Sequence, residues 1–457
     1  MLSSLSASIF LSVLLARHAR ASVNYALAPS DCPANSQVEG YFFYSPQGAV
    51  AMQGGGLIMN PNGTMVYYAT GFGQCSMRGL QEYEGADHLA IWVGDGSPVT
   101  GRHGSGYIYI YKNLLVDNTY SVVENVTVTN LGTGADVHEL QITPNKTAVM
   151  TAYPTQGEAV FTWKALDHVD PSECYAAIGD AGTGTVDDPW DYFHINSIQK
   201  NDDGNYLISS RHCHTLYSVN PDGDIIWRMG GMNCNFTFGP GANYTWQHHA
   251  RIHNWTTLSL PFSQGLLLNY DDSAMTVSLI NARSPFNRTA TTAQGSVQLL
   301  DNGDSIVGWG AMPSYSQHDN DGNILWSAQF GLVPDSAYRV FLHEWTARPT
   351  TPPSIQVSNT SSSNITVYAW WNGATEVTAW QLLGSTTDEP LVASPLVVAD
   401  KLDFETALTF TGDRGYAYFQ VAAMNADGEV LGFSDFTSLN GTTFAKADNQ
   451  TITAAPL

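Results

Sequence analysis

The sequence predicts an all-β protein, and three observations support this. Stretches with helical periodicity are nearly absent from the 457 residues. Turn dipeptides typical of β-hairpins lie between β-branched or aromatic runs; they are Asn62-Gly63, Asp203-Gly204, Asp222-Gly223, Asn302-Gly303 and Asp321-Gly322. One hairpin unit also recurs along the chain, so we expect a series of antiparallel sheets.

The recurring unit has the order turn, strand, strand, turn and tryptophan. It occupies residues 202–227 and 301–326, and a shorter copy with an expected final strand at 161–163 occupies residues 145–163. Repeated sheets of this kind predict a β-propeller, with a β-sandwich rich in hairpins as the alternative. We expect the tryptophans that end the copies to pack the blades rather than bind a ligand: Trp163, Trp227 and Trp326.

The composition of the chain changes at about Pro349. A Thr- and Pro-rich linker at residues 350–353 precedes four expected short strands, at 366–371, 377–382, 416–424 and 430–433. This pattern is typical of a small immunoglobulin- or fibronectin-like β-sandwich, which we expect to pack on the propeller. The expected division is therefore 1–21, a signal peptide, 22–349, the propeller, and 350–457, the β-sandwich.

The charge of the chain excludes nucleic acid as a partner. There are 18 Lys and Arg residues against 41 Asp and Glu, which gives a formal net charge of -23. Such a field repels phosphate backbones, so an anionic small substrate could bind only where local cations override it.

Several features predict a secreted glycoprotein. Residues 3–16 are mostly apolar and precede the small-x-small sequence Ala19-Arg20-Ala21, as in a cleavable signal, and no later run is long enough to span a membrane. N-linked glycans are expected at the N-x-S/T asparagines: Asn62, Asn125, Asn145, Asn235, Asn243, Asn254, Asn287, Asn359, Asn364, Asn440 and Asn449.

The chain has five cysteines, and an oxidising compartment predicts two disulfides and one spare thiol. We expect Cys213 to pair with Cys234, because a loop of about twenty residues suits adjacent strands, and Cys32 to pair with Cys75. The absence of a C-x-x-C motif argues against a thiolate zinc site.

Three histidines begin corresponding strands of successive repeats. His138 and His194 each open an apolar segment that precedes a turn, and His248 opens the next such segment. The first strands of propeller blades all point one end toward the axis, so these imidazoles should converge. Arg211 follows the strand expected to pair with the His194 strand and should reach the same place. Asp136 and Asp191 either orient the neighbouring imidazoles or shape turns.

Four motifs extend this reading: D-Y-F-H-I-N-S-I at 191–198, Y-L-I-S-S-R-H at 206–212, Q-H-H-A-R-I at 247–252 and G-S-V-Q-L-L-D-N-G at 295–303. Together they resemble the PAPS-independent arylsulfotransferases, in particular their fungal secreted branch. The resemblance implies a six-bladed propeller that transfers sulfate from a phenolic ester to another phenol through a sulfohistidine, with no nucleotide donor and no metal.

Carried over by position, the resemblance makes His248 the nucleophile, with His138, His194 and Arg211 holding the sulfuryl oxygens. His249 stands where the fungal pattern has Asp, which leaves the nucleophile open between residues 248 and 249. A neutral imidazole is a good nucleophile near neutral pH, and a guanidinium binds an oxyanion with two parallel hydrogen bonds.

Other residues near the motifs have supporting or structural roles. Asn196 ties a strand end through its amide, and the aryl group could stack on Trp246, Tyr192 or Phe193. His212 and His214 alternate along an expected strand, which would suit a metal pair, but no carboxylate shares their spacing. We therefore expect no metal and no cofactor.

Two other functions fit the same sequence. A non-catalytic propeller could bind a glycan or a protein, and an aryl sulfate hydrolase would arise if water resolved the sulfohistidine. Both enzymatic functions need the three imidazoles and Arg211 close together, whereas the binding module does not.

Overall fold

The computed structural model describes residues 38–48, 55–73, 75–94, 112–126, 135–151, 161–185, 188–252, 255–259, 262–361, 364–386, 393–412 and 415–444. Within these ranges the regular structure consists of β-strands and two short 3-10 helices, Ala165–Asp167 and Pro171–Glu173. The predicted all-β class is therefore confirmed. In the same ranges, no helix has the length and apolar character needed to cross a membrane. The expected signal peptide at 1–21 lies outside the described residues.

The strands up to residue 343 fall into groups along the chain. The first nine are β1 Tyr41–Gln47, β2 Leu57–Met59, β3 Met65–Tyr68, β4 Cys75–Tyr83, β5 Ala86–Val93, β6 Lys112–Val116, β7 Val122–Val126, β8 Leu140–Ile142 and β9 Ala148–Met150. The next nine are β10 Ile195–Lys200, β11 Tyr206–Ser210, β12 Thr215–Val219, β13 Ile225–Gly230, β14 Thr237–Phe238, β15 His248–Arg251, β16 Trp255–Ser259, β17 Ser263–Asp271 and β18 Thr276–Arg283. The last five are β19 Ser296–Leu299, β20 Ser305–Gly308, β21 Ser314–His318, β22 Ile324–Gln329 and β23 Ser336–His343.

These strands hydrogen-bond into sheets in which most neighbours are consecutive along the chain. The orders are β23-β1-β2-β3, β4-β5-β6-β7, β8-β9, β10-β11-β12-β13, β14-β18-β17-β16-β15 and β19-β20-β21-β22. The pairing is antiparallel throughout these sheets except between β14 and β18. In the first sheet a late strand, β23, pairs with β1, so the end of this region is hydrogen-bonded to its beginning.

The first strands of neighbouring sheets contact one another in a closed ring. β4 contacts β8, β9 contacts β10, β10 contacts β15, β15 contacts β19, β19 contacts β23, and β23 contacts β4. A hydrogen bond of 2.9 Å from the Lys200 amide to the Gln141 side chain also joins β10 to β8. Residues at the starts of these strands are therefore brought together although they are far apart in sequence.

The repeated hairpin unit is present in both full copies. β11 to β13 form one copy and β20 to β22 the other, and each turn glycine has a positive φ. In the turn before β13, the Asn220 side chain accepts the amides of Asp222 and Asp224 at 3.0 and 2.8 Å. The expected strand at 161–163 is wrong, because this segment lies outside the strands and Trp163 instead bonds to the Gly223 carbonyl.

The apolar core lies between neighbouring sheets. One cluster joins Leu207, Leu216 and Met229 of one sheet to Leu266 and Val277 of the next. The repeat tryptophans pack within such clusters, as expected from the sequence: Trp163, Trp227 and Trp326.

The C-terminal region forms two further sheets. Their strands are β24 Ser354–Ser361, β25 Asn364–Trp370, β26 Ala379–Ser385, β27 Ser394–Asp400, β28 Thr406–Thr411, β29 Tyr418–Met424, β30 Val430–Phe433, β31 Phe436–Ser438 and β32 Thr443–Phe444. One sheet has the order β24-β25-β28, the other the order β27-β26-β29-β31-β32 with β30 paired to β29. Val367 and Leu408 of the first share an apolar cluster with Trp380 and Phe419 of the second.

The C-terminal sheets contact the first region of the chain. Asn372 exchanges two hydrogen bonds of 2.9 Å with the backbone of Tyr68, and the Gly373 amide bonds to the Val66 carbonyl at 2.8 Å. The expected packing of the two regions against each other is therefore present. The boundary at 349/350 stays a prediction.

The predicted disulfide between Cys213 and Cys234 is wrong. Cys213 is bonded to Cys174, 39 residues earlier, and Cys234 is a free thiol. The Cys234 sulfur instead accepts the Gly230 amide at 3.1 Å. The other predicted partner pair includes Cys32, which lies outside the described residues. One disulfide is therefore established, and it fastens the 3-10 segment before β10 to the turn after β11.

Candidate functional site

Three histidines lie close together at or just before the starts of β8, β10 and β15. His138 precedes β8 by two residues, His194 directly precedes β10, and His248 is the first residue of β15. All three are buried, with exposed fractions of 4%, 8% and 4%. The rings of His138 and His194 lie 5.1 Å apart, and those of His138 and His248 pack edge-on against Tyr338 at 5.8 and 5.0 Å. The structure therefore brings together the three histidines that occupy corresponding positions in the sequence repeats.

An aspartate fixes each of the first two imidazoles. Asp136 accepts both the backbone amide and Nδ1 of His138, at 3.1 and 2.5 Å. Asp191 does the same for His194, at 3.1 and 2.7 Å. Each carboxylate therefore shapes the local turn and also orients the ring, so the two roles left open by the sequence occur together. In both rings Nδ1 faces the carboxylate and Nε2 is turned away from it.

Arg211 is held from three directions. It follows β11, and its amide bonds to the His194 carbonyl at 2.9 Å. Its guanidinium stacks on Trp246 at 4.8 Å, donates to the Thr292 carbonyl at 3.0 Å and lies 3.2 Å from Nε2 of His212. A guanidinium fixed in this way loses little entropy when it binds an oxyanion.

The hydrogen bond of His248 selects its tautomer. Nδ1 lies 2.7 Å from the Gly295 carbonyl, which can only accept, so Nδ1 carries the proton and Nε2 the lone pair. Burial first, and next the positive charge of Arg339, hold the pKa of His248 well below its usual value. The imidazole therefore stays neutral at neutral pH, which is the state that a nucleophile needs.

His248 and Arg211 open on one cavity of about 580 Å³. Its lining residues also include Asp191, His212, Tyr175, Asp180, Ser263, Trp246 and residues 290–294. His194 lies behind His212, with ring centroids 4.6 Å apart. Trp246 and Tyr175 are 37% and 45% exposed, so the cavity has an accessible aromatic wall.

The two other aromatic residues proposed for this wall lie elsewhere. Tyr192 and Phe193 are buried in an apolar cluster with Tyr217. Of the three residues named from the sequence, Trp246 is the one that lines the cavity.

His249 differs from His248 in its surroundings. Its Nδ1 accepts the Val297 amide at 3.3 Å, its ring packs against Phe341, and it is not among the residues that line the cavity. Burial first, and then the charge of Arg251, hold its pKa well below the usual value. These contacts give His249 a structural environment between β15 and β19. Asn196 likewise ties the start of β10 to the Gln247 carbonyl at 2.6 Å.

The expected strand through His212 and His214 is wrong. Residues 211–214 form a turn between β11 and β12, and His214 has a φ of 54°. His212 donates Nδ1–H to the Asp191 carbonyl at 2.5 Å, so its Nε2 can accept from Arg211. Its Nδ1 also lies 3.6 Å from the Asp191 carboxylate. His214 stacks on Tyr175 at 4.2 Å, and burial lowers its pKa to about 4.

Within the described part of the chain, one group could hold a metal ion, namely Asp191, His194 and His212, whose ligand atoms lie within 4.8 Å of one another. In the present geometry, Nδ1 of His212 donates to the Asp191 carbonyl, and its Nε2 lies 3.2 Å from the Arg211 guanidinium, a cation that disfavours a metal ion there. The contacts of this group therefore fit hydrogen bonding better than metal coordination.

Sequence reasoning missed a set of buried charges beside the histidines. Glu139 lies 2.6 Å from Arg251 and 3.1 Å from Arg339, and Arg78 donates to the His138 carbonyl at 2.8 Å. Burial raises the pKa of Glu139, but Arg251 and Arg339 outweigh it and lower that pKa to about 2. The signal in the sequence was an arginine inside an apolar run, as in Ala-Tyr-Arg-Val-Phe at 337–341, in a chain with few cations.

Several residues at the site have backbone conformations that side chains rarely adopt. Their φ values are positive: His194 44°, His214 54°, Trp246 55° and His249 61°. Such conformations cost of order 1–3 kcal/mol each and persist where surrounding contacts enforce them, most often at functional sites. Trp246 lines the cavity, and His194 and His214 pack on lining residues. The positive φ values therefore lie in and next to the candidate site, which agrees with a functional role.

The model of the arylsulfotransferase (ASST) family matches residues 48–331, more than half of the chain. The chain belongs to this family. The resemblance read from the motifs is thereby confirmed at the level of the arylsulfotransferases. No curated protein matches the chain.

Solved structures show only weak likeness to this chain. A catalytically inactive virginiamycin B lyase from Staphylococcus aureus with quinupristin is 8% identical, with 76% of this chain and 95% of that chain covered and a TM-score of 0.31. A protein from Lactobacillus plantarum is 12% identical over 81% and 99%, with a TM-score of 0.30. A protein of unknown function from Bacteroides caccae is 11% identical over 72% and 82%, with a TM-score of 0.21. TM-scores at this level support no argument about function.

Proposed function

We propose that the protein transfers a sulfuryl group from an aryl sulfate to a phenol through a sulfohistidine at His248. The observation that supports this most strongly is that His248 and Arg211 line one cavity in a chain of the arylsulfotransferase family. His194 packs on His212 of the cavity lining and on His138, so the other two imidazoles lie beside the same site.

In the first half-reaction, the lone pair on Nε2 of His248 attacks sulfur and the bond from sulfur to the aryl oxygen breaks. The Nδ1–H bond to Gly295 stabilises the positive charge that develops on the ring. Arg211 binds the sulfuryl oxygens with its fixed fork, which is the type of electrostatic stabilisation that contributes most when donors are already in place.

The departing phenolate needs a proton, because its parent acid titrates near 10. We assign this step to His194, because Asp191 fixes its Nδ1 at 2.7 Å and orients the ring so that Nε2 is turned away from the carboxylate. His138 has the same arrangement with Asp136 and serves the sulfuryl oxygens. In the second half-reaction the acceptor phenol attacks sulfur, the bond from sulfur to Nε2 breaks, and the phenol proton passes to His194.

Mass spectrometry after incubation with an aryl sulfate alone tests the proposal. We expect a gain of one sulfuryl group on the peptide containing residues 246–251, located at His248 by fragmentation. His248→Ala abolishes the adduct, whereas His249→Gln keeps it, because His249 contacts β19 rather than the cavity. An adduct on His249, or none in the wild-type protein, would contradict the proposed intermediate.

Release of phenol with and without an acceptor separates transfer from hydrolysis. We expect a single burst of phenol from donor alone and sustained release once a second phenol is added. Sustained release without acceptor would identify a hydrolase, and no release in either case would favour a binding module.

Architecture and location complete the proposal. The closed ring of first strands supports a six-bladed propeller, and the shared core of the two C-terminal sheets supports an immunoglobulin- or fibronectin-like sandwich.

We further propose that the chain is a secreted, N-glycosylated member of the fungal branch whose residues 1–21 are removed. Its acceptor asparagines include exposed positions such as Asn62, Asn145 and Asn440. Expression in a eukaryotic secretory host, followed by N-terminal sequencing of the medium and glycosidase treatment, tests this.

A further inference from the structure

A buried ion cluster joins the first strands beside the three histidines. Arg339 of β23 is 2% exposed and binds both carboxylate oxygens of Glu139, at 3.1 and 3.3 Å. Arg251 of β15 binds the same carboxylate at 2.6 Å. A buried charge is costly unless it is paired, so these groups hold one another in place.

The guanidinium of Arg339 also spans two of the histidine segments. Its Nη2 donates to the His138 carbonyl at 2.9 Å and to the Asn196 carbonyl at 3.0 Å, and Asn196 lies two residues after His194. The same His138 carbonyl accepts Nη1 of Arg78 at 2.8 Å. One side chain of β23 therefore fixes the distance between the start of β8 and the start of β10.

The third histidine is coupled to the same side chain by charge. Tyr338, the neighbour of Arg339, packs against the rings of both His138 and His248. Among the charged groups, the strongest effect on His248 comes from Arg339, followed by His138. His194 acts in the same direction, so Arg339, His138 and His194 all favour a neutral His248.

We propose that Arg339 is a positioning residue of the sulfuryl transfer, which sets the spacing of His138 and His194 and holds its positive charge over Tyr338, the ring that packs on His248. It acts through other residues, because its guanidinium is bonded to the Glu139 carboxylate and to the His138 and Asn196 carbonyls. This inference rests on the proposed function for its kinetic effect, since a displacement of about 1 Å in a reacting group can reduce a rate on the order of 100-fold.

Two substitutions separate geometry from charge. Arg339→Lys keeps the charge but loses the planar fork that reaches two carbonyls, and Arg339→Gln also removes the charge. The matched control is Arg283, which is 1% exposed, bonds to Ser305 at 2.9 Å and lies on β18 outside the site. Arg283→Lys and Arg283→Gln report the general effect of changing a buried arginine.

We expect kcat to fall roughly 10- to 100-fold in both Arg339 variants while KM changes little. Both Arg283 variants should lower the melting temperature and leave kcat within about threefold of wild type. Equal kinetic effects at the two positions would overturn the positioning role even if the wild-type protein transfers sulfate.

A second readout does not depend on activity. The rate at which diethyl pyrocarbonate modifies His248 is followed by mass spectrometry as a function of pH, and its midpoint reports the protonation of that ring. Removing a neighbouring positive charge favours the protonated imidazole, so the midpoint moves to higher pH in Arg339→Gln but not in Arg339→Lys or Arg283→Gln. A midpoint unchanged in Arg339→Gln would refute the electrostatic coupling, whether or not the proposed transfer occurs.

Discussion

Replacing Arg211 by lysine tests the proposed oxyanion site most directly. The guanidinium is held by Trp246, the Thr292 carbonyl and His212, and a lysine cannot keep these contacts and also bind two sulfuryl oxygens. Loss of one preorganised oxyanion donor reduces kcat by about 100- to 1,000-fold, or about 2.7–4 kcal/mol. Because lysine retains the charge, we expect a reduction near the lower end of that range.

The assay is steady-state release of 4-nitrophenol from its sulfate ester at saturating phenol, together with the rate of adduct formation from donor alone. Arg228→Lys is the matched control, because Arg228 also lies over a ring, Tyr217 at 5.8 Å, in the same sheet but is not among the residues lining the cavity. A kcat for Arg211→Lys within about threefold of the control would refute the assignment of Arg211 to the sulfuryl oxygens.

Three further outcomes are expected. Burial lowers the pKa of His318 to about 4, so on acidification the unfolded state protonates this imidazole before the folded state does. The free energy of unfolding therefore falls as pH drops from about 6.5 toward 4, by at most about 3 kcal/mol. Urea unfolding of His318→Gln should show a smaller fall over that pH window, and equal pH dependence in variant and wild type would contradict this. Removing the Cys174–Cys213 disulfide should lower the unfolding free energy by about 4 kcal/mol for its 39-residue separation, and an unchanged melting temperature in the Cys174→Ala, Cys213→Ala double variant would refute it. Trp246→Ala should raise KM for aryl sulfates about tenfold through lost stacking, which an unaltered KM would exclude.

Local sequence patterns predicted the strands and the repeated hairpins well. Alternating apolar residues and turn glycines act over a few residues, so the hairpin units expected at 202–227 and 301–326 correspond to β11–β13 and β20–β22. The prediction of a strand at 161–163 was wrong, because Trp163 packs on the next hairpin rather than lying in a paired strand.

By itself the sequence determined the all-β class, the family and the set of histidines that share a register, because each depends on residue types at fixed spacing. Tertiary structure alone decided which partner each group has. Cys213 bonds to Cys174 rather than Cys234, His248 rather than His249 lines the cavity, and Arg339 joins the histidine segments from β23. The physical reason is that pairing, burial and charge depend on distances between segments that are remote in the chain. In addition, the positive φ at His249 breaks the alternation of side chains along the strand, so the sequence could not show which of the two histidine side chains faces the cavity.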